Sequence, residues 1–289
     1  MKRITRDRTV PPQRRHKVRE PAAEVELGET FLVETVNFRT PVIRTPADAN
    51  PAEYKEREET GPIFVKGAAS GDVLAIEILD IRPEGHASGG WWRDPHENSF
   101  LEIADGKVHF PGRLRTAVRM MIGDIRVQPE IGGPNPWDYG GNMDFKDVRA
   151  GNTLCLKAEL PGGLLVLGDM HAAQGDGEIL GLAAECAGEV TLRITKDAKY
   201  RSDRPLVAKK DSFVCIACRR PYEAARDLAV KDAAGVLARL AGCTQEEAYL
   251  YVTTLGDLRN GAVWMMGRTE QEWYKQVPLV VGVEVPLPV

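Results

Sequence analysis

Three observations predict a mainly β protein with an α+β part at its C-terminal end. Apolar residues alternate with a period of two over most of the chain. Turn-forming residues, 28 glycines and 19 prolines, punctuate it throughout. Near Arg220 the period switches to about 3.6. With 289 residues, 43% of them apolar, the chain can bury roughly three quarters of its unfolded surface, enough for a full core. The boundaries read as a basic N-terminal arm over 1–24, a β-rich body over 25–210 and an α+β part over 211–289 packed on the body.

The first twenty residues, MKRITRDRTVPPQRRHKVRE, are strongly basic, lack an apolar period and contain a proline pair. Such a segment suits either a nucleic-acid or acidic-partner arm or a solvated, subunit-embracing one. The second reading fits better, because the whole chain carries a net charge of -4 and no aromatic residue interleaves with the arginines. No nucleic-acid partner is expected. TFLVETVNF then reads as a strand, and residues 46–61, PADANPAEYKEREETG, as a surface loop with one helical turn.

In GDVLAIEILDI, Val73, Ala75, Glu77 and Leu79 share one face, and Leu74, Ile76, Ile78 and Asp80 the other. Both faces are largely apolar, as in the middle layer of a fold. NTLCLKAEL, GLLVLGDM and GEVTLRIT are further strands. From Tyr222 through Ala225, Leu228, Ala229, Ala233, Val236, Leu237 and Leu240 the spacing predicts an amphipathic helix ending at Gly242. Thr244 and Glu247 have the capping-box spacing for a second helix through Tyr251. LRNGAVWMM and PLVVGVEVPL return to strand. The chain has no run of about 20 apolar residues and no apolar leader, so neither membrane insertion nor secretion is expected, and a cytoplasmic location is. Five cysteines form no even framework and read as reduced thiols.

The chemistry concentrates in GDMHAAQGDGE, residues 168–178, near GGNMD (140–144) and Glu185. Asp144, Asp169, Asp176, Glu178 and Glu185 surround one imidazole, His171. An Asp/His/Glu set suits Zn²⁺ or a similar divalent ion, and such an ion lowers the pKa of water from 15.7 to about 7 and polarises a carbonyl. A nearby carboxylate such as Glu178 can then relay a proton to a departing amine. The spacing equally fits a turn held by hydrogen-bonded polar groups, and Gly175 and Gly177 fit either a tight turn or a close approach to a ligand. Cys155 and Cys186 lie in apolar alternation without a neighbouring base and read as buried thiols rather than nucleophiles. Cys215 and Cys218 form a CxxC with no second pair, which an alternating strand explains. Neither a Walker A loop nor a dinucleotide fingerprint follows a strand, so no nucleotide cofactor is expected.

The order GGNMD, GNTL, PGGLL, GDMHAAQGDGE, AAE and GEVTLRI over residues 140–194 resembles the acetamidase/formamidase family. GPIFVKGAASGDVLAIEILDI and YLYVTTLGDLRNGAV extend the resemblance over most of residues 25–265, leaving the N-terminal arm outside it. The resemblance implies a β-sandwich of jelly-roll type with two late helices, and metal-dependent hydrolysis of small amides to a carboxylate and ammonia. It assigns His171 and Asp144 as metal ligands, with Asp169 a ligand or orienting group and Glu34 a further ligand. Glu178 takes the proton transfer. Asn142 and Gln174 hydrogen-bond the amide, and Asp176 serves catalysis or holds the turn.

Asp257 and Arg259 match a family segment as well, with a capping or salt-bridge role equally open. A homo-oligomer is expected from the resemblance together with the arm. The chain departs from the family pattern PMIGVIGVAP at residues 119–129, RMMIGDIRVQP, where Asp124 replaces an apolar residue and Arg126 a glycine. A guanidinium facing the pocket would favour a carboxylated or larger polar amide, and a larger or cyclic amide is a second reading. A third is a binding protein without turnover, since fold alone does not give function. The segment 86–100, HASGGWWRDPHENSF, matches no family motif. Its tryptophan pair suits core, interface or lid, and His86, His96 and His109 suit surface or core better than ligation.

Overall fold

The computed structural model describes residues 1–10, 20–37, 40–50, 59–90, 98–128, 138–197, 199–263 and 279–288. Its strands run in two hydrogen-bonded rows that meet at one strand. In the first row β4 (Thr30–Glu34), β14 (Glu185–Lys196), β6 (Val73–Gly90), β12 (Thr153–Lys157), β15 (Leu206–Ala208), β16 (Ser212–Arg219), β18 (Leu279–Pro286) and β17 (Asp257–Asn260) pair successively and antiparallel. In the second, β3 (Ala23–Glu26), β5 (Glu59–Lys66), β13 (Leu165–His171), β10 (Met121–Arg126) and β11 (Gly140–Asn142) pair in that order. The rows join because β14 changes partner: Glu185 and Cys186 pair with β13, whereas Glu189 to Arg193 pair with β4. Between them stands Gly188, where a Cβ would lie 2.7 Å from the Arg82 carbonyl oxygen.

One core fills the space between the rows, with Leu74, Ile76, Val190 and Leu192 from the first and Ile63, Ile122, Leu165 and Leu167 from the second, all fully buried. The opposite face of β6 carries Val73 and Ala75 into a second core under the C-terminal helices. The two-faced burial predicted for this strand therefore holds at its start. Further along, Glu77 pairs with Arg193 at 2.6 Å and Leu79 is 43% exposed. At the distal end of β6 the strands β7 (Asn98–Ala104), β8 (Lys107–His109) and β9 (Arg115–Ala117) continue as hairpins.

The α+β part forms as its spacing predicts. Helix α2 (Tyr222–Ala241) buries Ala225, Ala229, Ala233, Val236 and Leu237, and its small alanine side chains suit packing against β16 and β18. It stops at Gly242, whose φ of 65° is readily adopted only by glycine. Helix α3 (Gln245–Leu255) starts with the capping box: the Glu247 amide donates to Thr244 Oγ1 at 3.2 Å, and the Thr244 amide to Glu247 Oε2 at 2.8 Å. The expected helical turn in the polar loop is α1 (Pro46–Ala49). Of LRNGAVWMM, the stretch 264–266 lies outside the described residues.

The N-terminal segment differs from the solvated arm that its composition suggests. Strand β1 (Lys2–Ile4) pairs in parallel with β4 and buries Ile4, and β2 (Thr9–Val10) pairs with β5. Its charge is used internally: Arg3 meets Glu34 and Glu189 at 2.6 Å each, and Arg6 meets Glu34 and Glu84. Basic residues here neutralise an acidic sheet edge. Residues 11–19 of the same segment lie outside the described residues.

Candidate functional site

The site lies where β13 meets β14. His171 ends β13 and stands opposite Glu185, the first residue of β14. On its other side β13 pairs with β10, with Ile122 opposite Met170 and Asp124 opposite Gly168, so Gly123 faces Asp169. A Cβ on Gly123 would lie 2.6 Å from Asp169 Oδ2 and 2.7 Å from Asp144 Oδ1. Two carboxylates therefore converge on a spot that only glycine leaves open. Asp144, Asp169 and Glu178 all have positive φ, at 45°, 57° and 42°, a conformation uncommon outside glycine and concentrated at functional sites.

Gln174 sets the orientation of the imidazole. Its Nε2 donates to the Asp144 carbonyl, which can only accept, so its Oε1 is the atom 2.7 Å from His171 Nδ1. Nδ1 therefore carries the hydrogen, and Nε2 is turned toward the acids. Nε2 lies 3.1 Å from Glu185 Oε2 and 3.6 Å from Asp169 Oδ1, without hydrogen-bond geometry to either. Two overlapping groups have donor atoms within 4.8 Å of one another: Asp144, His171 and Glu178, and Asp169, His171 and Glu185.

All five side chains are buried, and among the described residues the four carboxylates gather round one imidazole away from water, a concentration of acidic donors that favours protons or a cation. Burial alone would lower the His171 pKa, but Glu185 and then Asp169 outweigh it and hold the pKa well above the usual value. Burial raises the Glu185 pKa, with Asp169 adding to the rise and His171 opposing it. Oxygen and imidazole donors, a tautomer fixed by Gln174 and the space left by Gly123 suit a divalent ion.

The remaining predicted site residues fall around this centre. Asn142 donates from Nδ2 to Asp144 Oδ2 at 2.8 Å, and its buried Oδ1 has no hydrogen-bond partner among the described residues. Asp176 points away, to Arg259 at 3.1 Å and Lys146 at 3.0 Å, which ties the loop to β17. Arg259 also reaches Asp147 at 3.0 Å and Glu284, so it is a salt-bridge hub. Glu34 belongs to neither donor group and is engaged by Arg3 and Arg6. Glu185 is one of the carboxylates that the sequence gathers near His171, and no motif gives it a role at the centre. Its signal is its place across the strand pair from His171.

Arg126 does not face a pocket. Its guanidinium is 4% exposed and bound to Asp124 at 2.8 Å and to Glu59. The reason for expecting a carboxylated substrate is thereby removed. His86 accepts a hydrogen bond at Nδ1 from the Ile103 amide at 3.0 Å and packs edge-on to Phe100, a structural role. Trp91, Trp92 and His96 lie outside the described residues. Cys155 and Cys186 are buried, and burial pushes each thiol up to about 12, far from a nucleophile's range.

A cleft of about 490 Å³ opens beside the centre, with Gln174 and Glu178 in its wall. A sequence model described as the acetamidase/formamidase family matches residues 1–119 and 133–255. The chain belongs to this family. The match begins at residue 1, so the N-terminal segment lies inside the likeness rather than outside it. It omits residues 120–132, the stretch with Gly123, Asp124 and Arg126.

A formamidase of Methylophilus methylotrophus is 38% identical over 245 residues, covering 60% of each chain. An acetamidase of Mycolicibacterium smegmatis is 26% identical over 60% of this chain and 63% of its own. The chain thus spans about half to three fifths of the length of the curated relatives it matches. Among solved structures, an acetamidase from Bacillus halodurans superposes with a TM-score of 0.82 at 28% identity, covering 99% of this chain and 97% of that one. A predicted acetamidase/formamidase from Thermoanaerobacter tengcongensis gives 0.83 at 27% identity, covering 98% and 95%.

Proposed function

We propose that the protein is a metal-dependent amidohydrolase that cleaves the C–N bond of small linear amides, releasing ammonia and a carboxylate. Family membership supports the reaction class. The observation that carries the metal is His171: Gln174 holds its Nδ1 and leaves Nε2 beside Glu185 and Asp169, and the imidazole shares two donor groups with four buried carboxylates. His171 and Asp144 hold the ion, with Asp169 and Glu185 as further ligands or orienting groups. A divalent ion such as Zn²⁺ supplies an acidified water and a polarised carbonyl when bound.

The chain's own residues do the rest. Glu178 faces both the donor group and the cleft. It takes a proton from the attacking water and returns it to the amide nitrogen as the C–N bond breaks and a C–O bond forms. Asn142 Oδ1, a buried acceptor without a partner among the described residues, receives an N–H of the substrate amide, and Asn142 Nδ2 keeps Asp144 in place. Gln174 positions His171 rather than touching substrate.

Metal analysis of the purified protein, together with an ammonia-release assay on formamide and acetamide, tests this reading. Loss of bound metal and of turnover in His171→Ala is expected. Metal retained at full stoichiometry in that variant would remove the ligand assignment. No helix among the described residues is long and apolar enough to cross a membrane. A cytoplasmic location and a homo-oligomeric state belong to the same proposal.

A further inference from the structure

The cleft beside Glu178 is far larger than formamide or acetamide needs. Its volume of about 490 Å³ falls in the range of about 300–1,000 Å³ that holds drug-sized ligands. Its wall is apolar: Leu101, Phe110, Leu114, Ile179, Leu180 and Leu182. Three of these stand in water, with exposures of 36% at Phe110, 74% at Leu114 and 55% at Ile179, so the wall offers apolar surface that a bound apolar group would cover. The space is open because Gly89 and Gly90 form part of the floor. A Cβ on Gly90 would lie 2.7 Å from Leu182 Cδ1, and one on Gly89 3.0 Å from Leu101 Cδ1.

Charge narrows the ligand further. Among the described residues the cleft has no cation in its wall, and its two charged residues, Asp176 and Glu178, are both acids. Asp176 is already held by Arg259 and Lys146, and Arg126 is sealed between Asp124 and Glu59. Among the described residues a substrate carboxylate lying along the apolar wall, away from the donor groups, would meet acids and no cationic side chain.

From this geometry we infer that the preferred substrates are neutral amides with an apolar acyl chain longer than acetyl, the carboxamide at Glu178 and the chain along the Leu101–Phe110–Leu182 wall. This rests on the amidohydrolase reading and specifies its substrate class. No proton or charge is added to the reaction: the same C–N bond breaks, and the product is ammonia with a longer carboxylate.

The test is kcat/KM for the series acetamide, butanamide and hexanamide, and for an amide of hexanamide's length ending in a carboxylate, all with the metal-loaded protein. Efficiency should rise about threefold per added methylene, and the carboxylated amide should fall well below hexanamide. Calorimetric binding of hexanamide to the protein as purified should be tighter than that of butanamide by about tenfold for the same reason.

Ile179→Asp and Leu114→Asp, at exposed positions of the wall, should each lower the hexanamide-to-acetamide efficiency ratio by about tenfold. A flat or falling series with acetamide hydrolysed overturns the substrate inference and leaves the amidohydrolase reading standing. An unchanged ratio in both variants overturns the placement of the chain in this cleft. No ammonia from any amide overturns the parent reading and this one with it.

Discussion

Gln174 touches no reacting atom in this arrangement, yet the direction of the His171 lone pair depends on it. Gln174→Ala should weaken metal binding by about 10- to 100-fold, as loss of an outer partner to a ligating histidine does; competition against a chromophoric chelator measures it, and unaltered affinity would show that the imidazole needs no such brace. Arg126 tests the opposite kind of residue, a charge wholly internal to the fold. Arg126→Met removes the buried guanidinium that Glu59 and Asp124 share, which should destabilise the protein by about 3–5 kcal/mol near neutral pH.

The pH dependence has a definite sign. Burial first, then Asp124, raises the Glu59 pKa despite the attraction of Arg126. A raised carboxyl pKa means that its contribution is fully present below the unfolded value, about 4.3, and is lost as pH rises through the folded value. Removing the cation raises that folded value further, so denaturation of Arg126→Met should approach wild type as pH falls toward 4. A gap independent of pH would refute the account. At this scale the sequence put His171, Asp144, Asp169 and Glu178 forward by their place in two motifs, and the fold brings them together in two donor groups that share His171. The sequence singled out Arg126 as well, but not its direction, because nothing local tells which face of β10 meets the site.

Single elements show why some of the fold was legible. Helices α2 and α3 carry their own punctuation, so Gly242 and the Thr244–Glu247 box mark their ends without tertiary information; Thr244→Ala should cost about 1 kcal/mol of stability in denaturant unfolding. Strand β1 carries none. Its three residues pair in parallel with β4, a long-range partner that no local pattern announces, and its arginines find Glu34, Glu84 and Glu189 only once the sheet exists. The same limit hid Gly123. In the sequence it is one glycine in an apolar run; in the strand pair it stands opposite Asp169 and leaves the space in which two carboxylates meet. Its φ is not positive, so alanine suits the backbone and perturbs only the site. Gly123→Ala should keep its far-ultraviolet dichroism and lose metal affinity by at least about tenfold, and full metal stoichiometry with native affinity would disprove the crowding.

The donor groups draw on both rows of strands, and that gives the whole molecule a dependence on the ion. His171 and Asp169 belong to β13 in the second row, Glu185 to β14 in the first, and Asp144 follows β11, so a bound cation fastens the rows at the point where they join. This junction was not readable beforehand, since it depends on β14 exchanging β13 for β4 within a few residues. An ion that binds only the folded arrangement stabilises it by about 4 kcal/mol when its free concentration is a thousand times its Kd. For a protein of this size that is a rise in Tm of roughly 5–15 °C.

Without the ion, protons on His171 and Glu185 offset part of the negative charge at the centre, as the upward direction of both pKa shifts favours. Those protons stabilise the fold at low pH and are lost as pH rises through the folded values, whereas metal binding must displace them and strengthens with pH. Calorimetry of the protein with and without Zn²⁺ should therefore give a Tm gain that grows between pH 6 and pH 8 and vanishes in His171→Ala. A gain that shrank with rising pH, or persisted in that variant, would place the ion elsewhere than among these carboxylates.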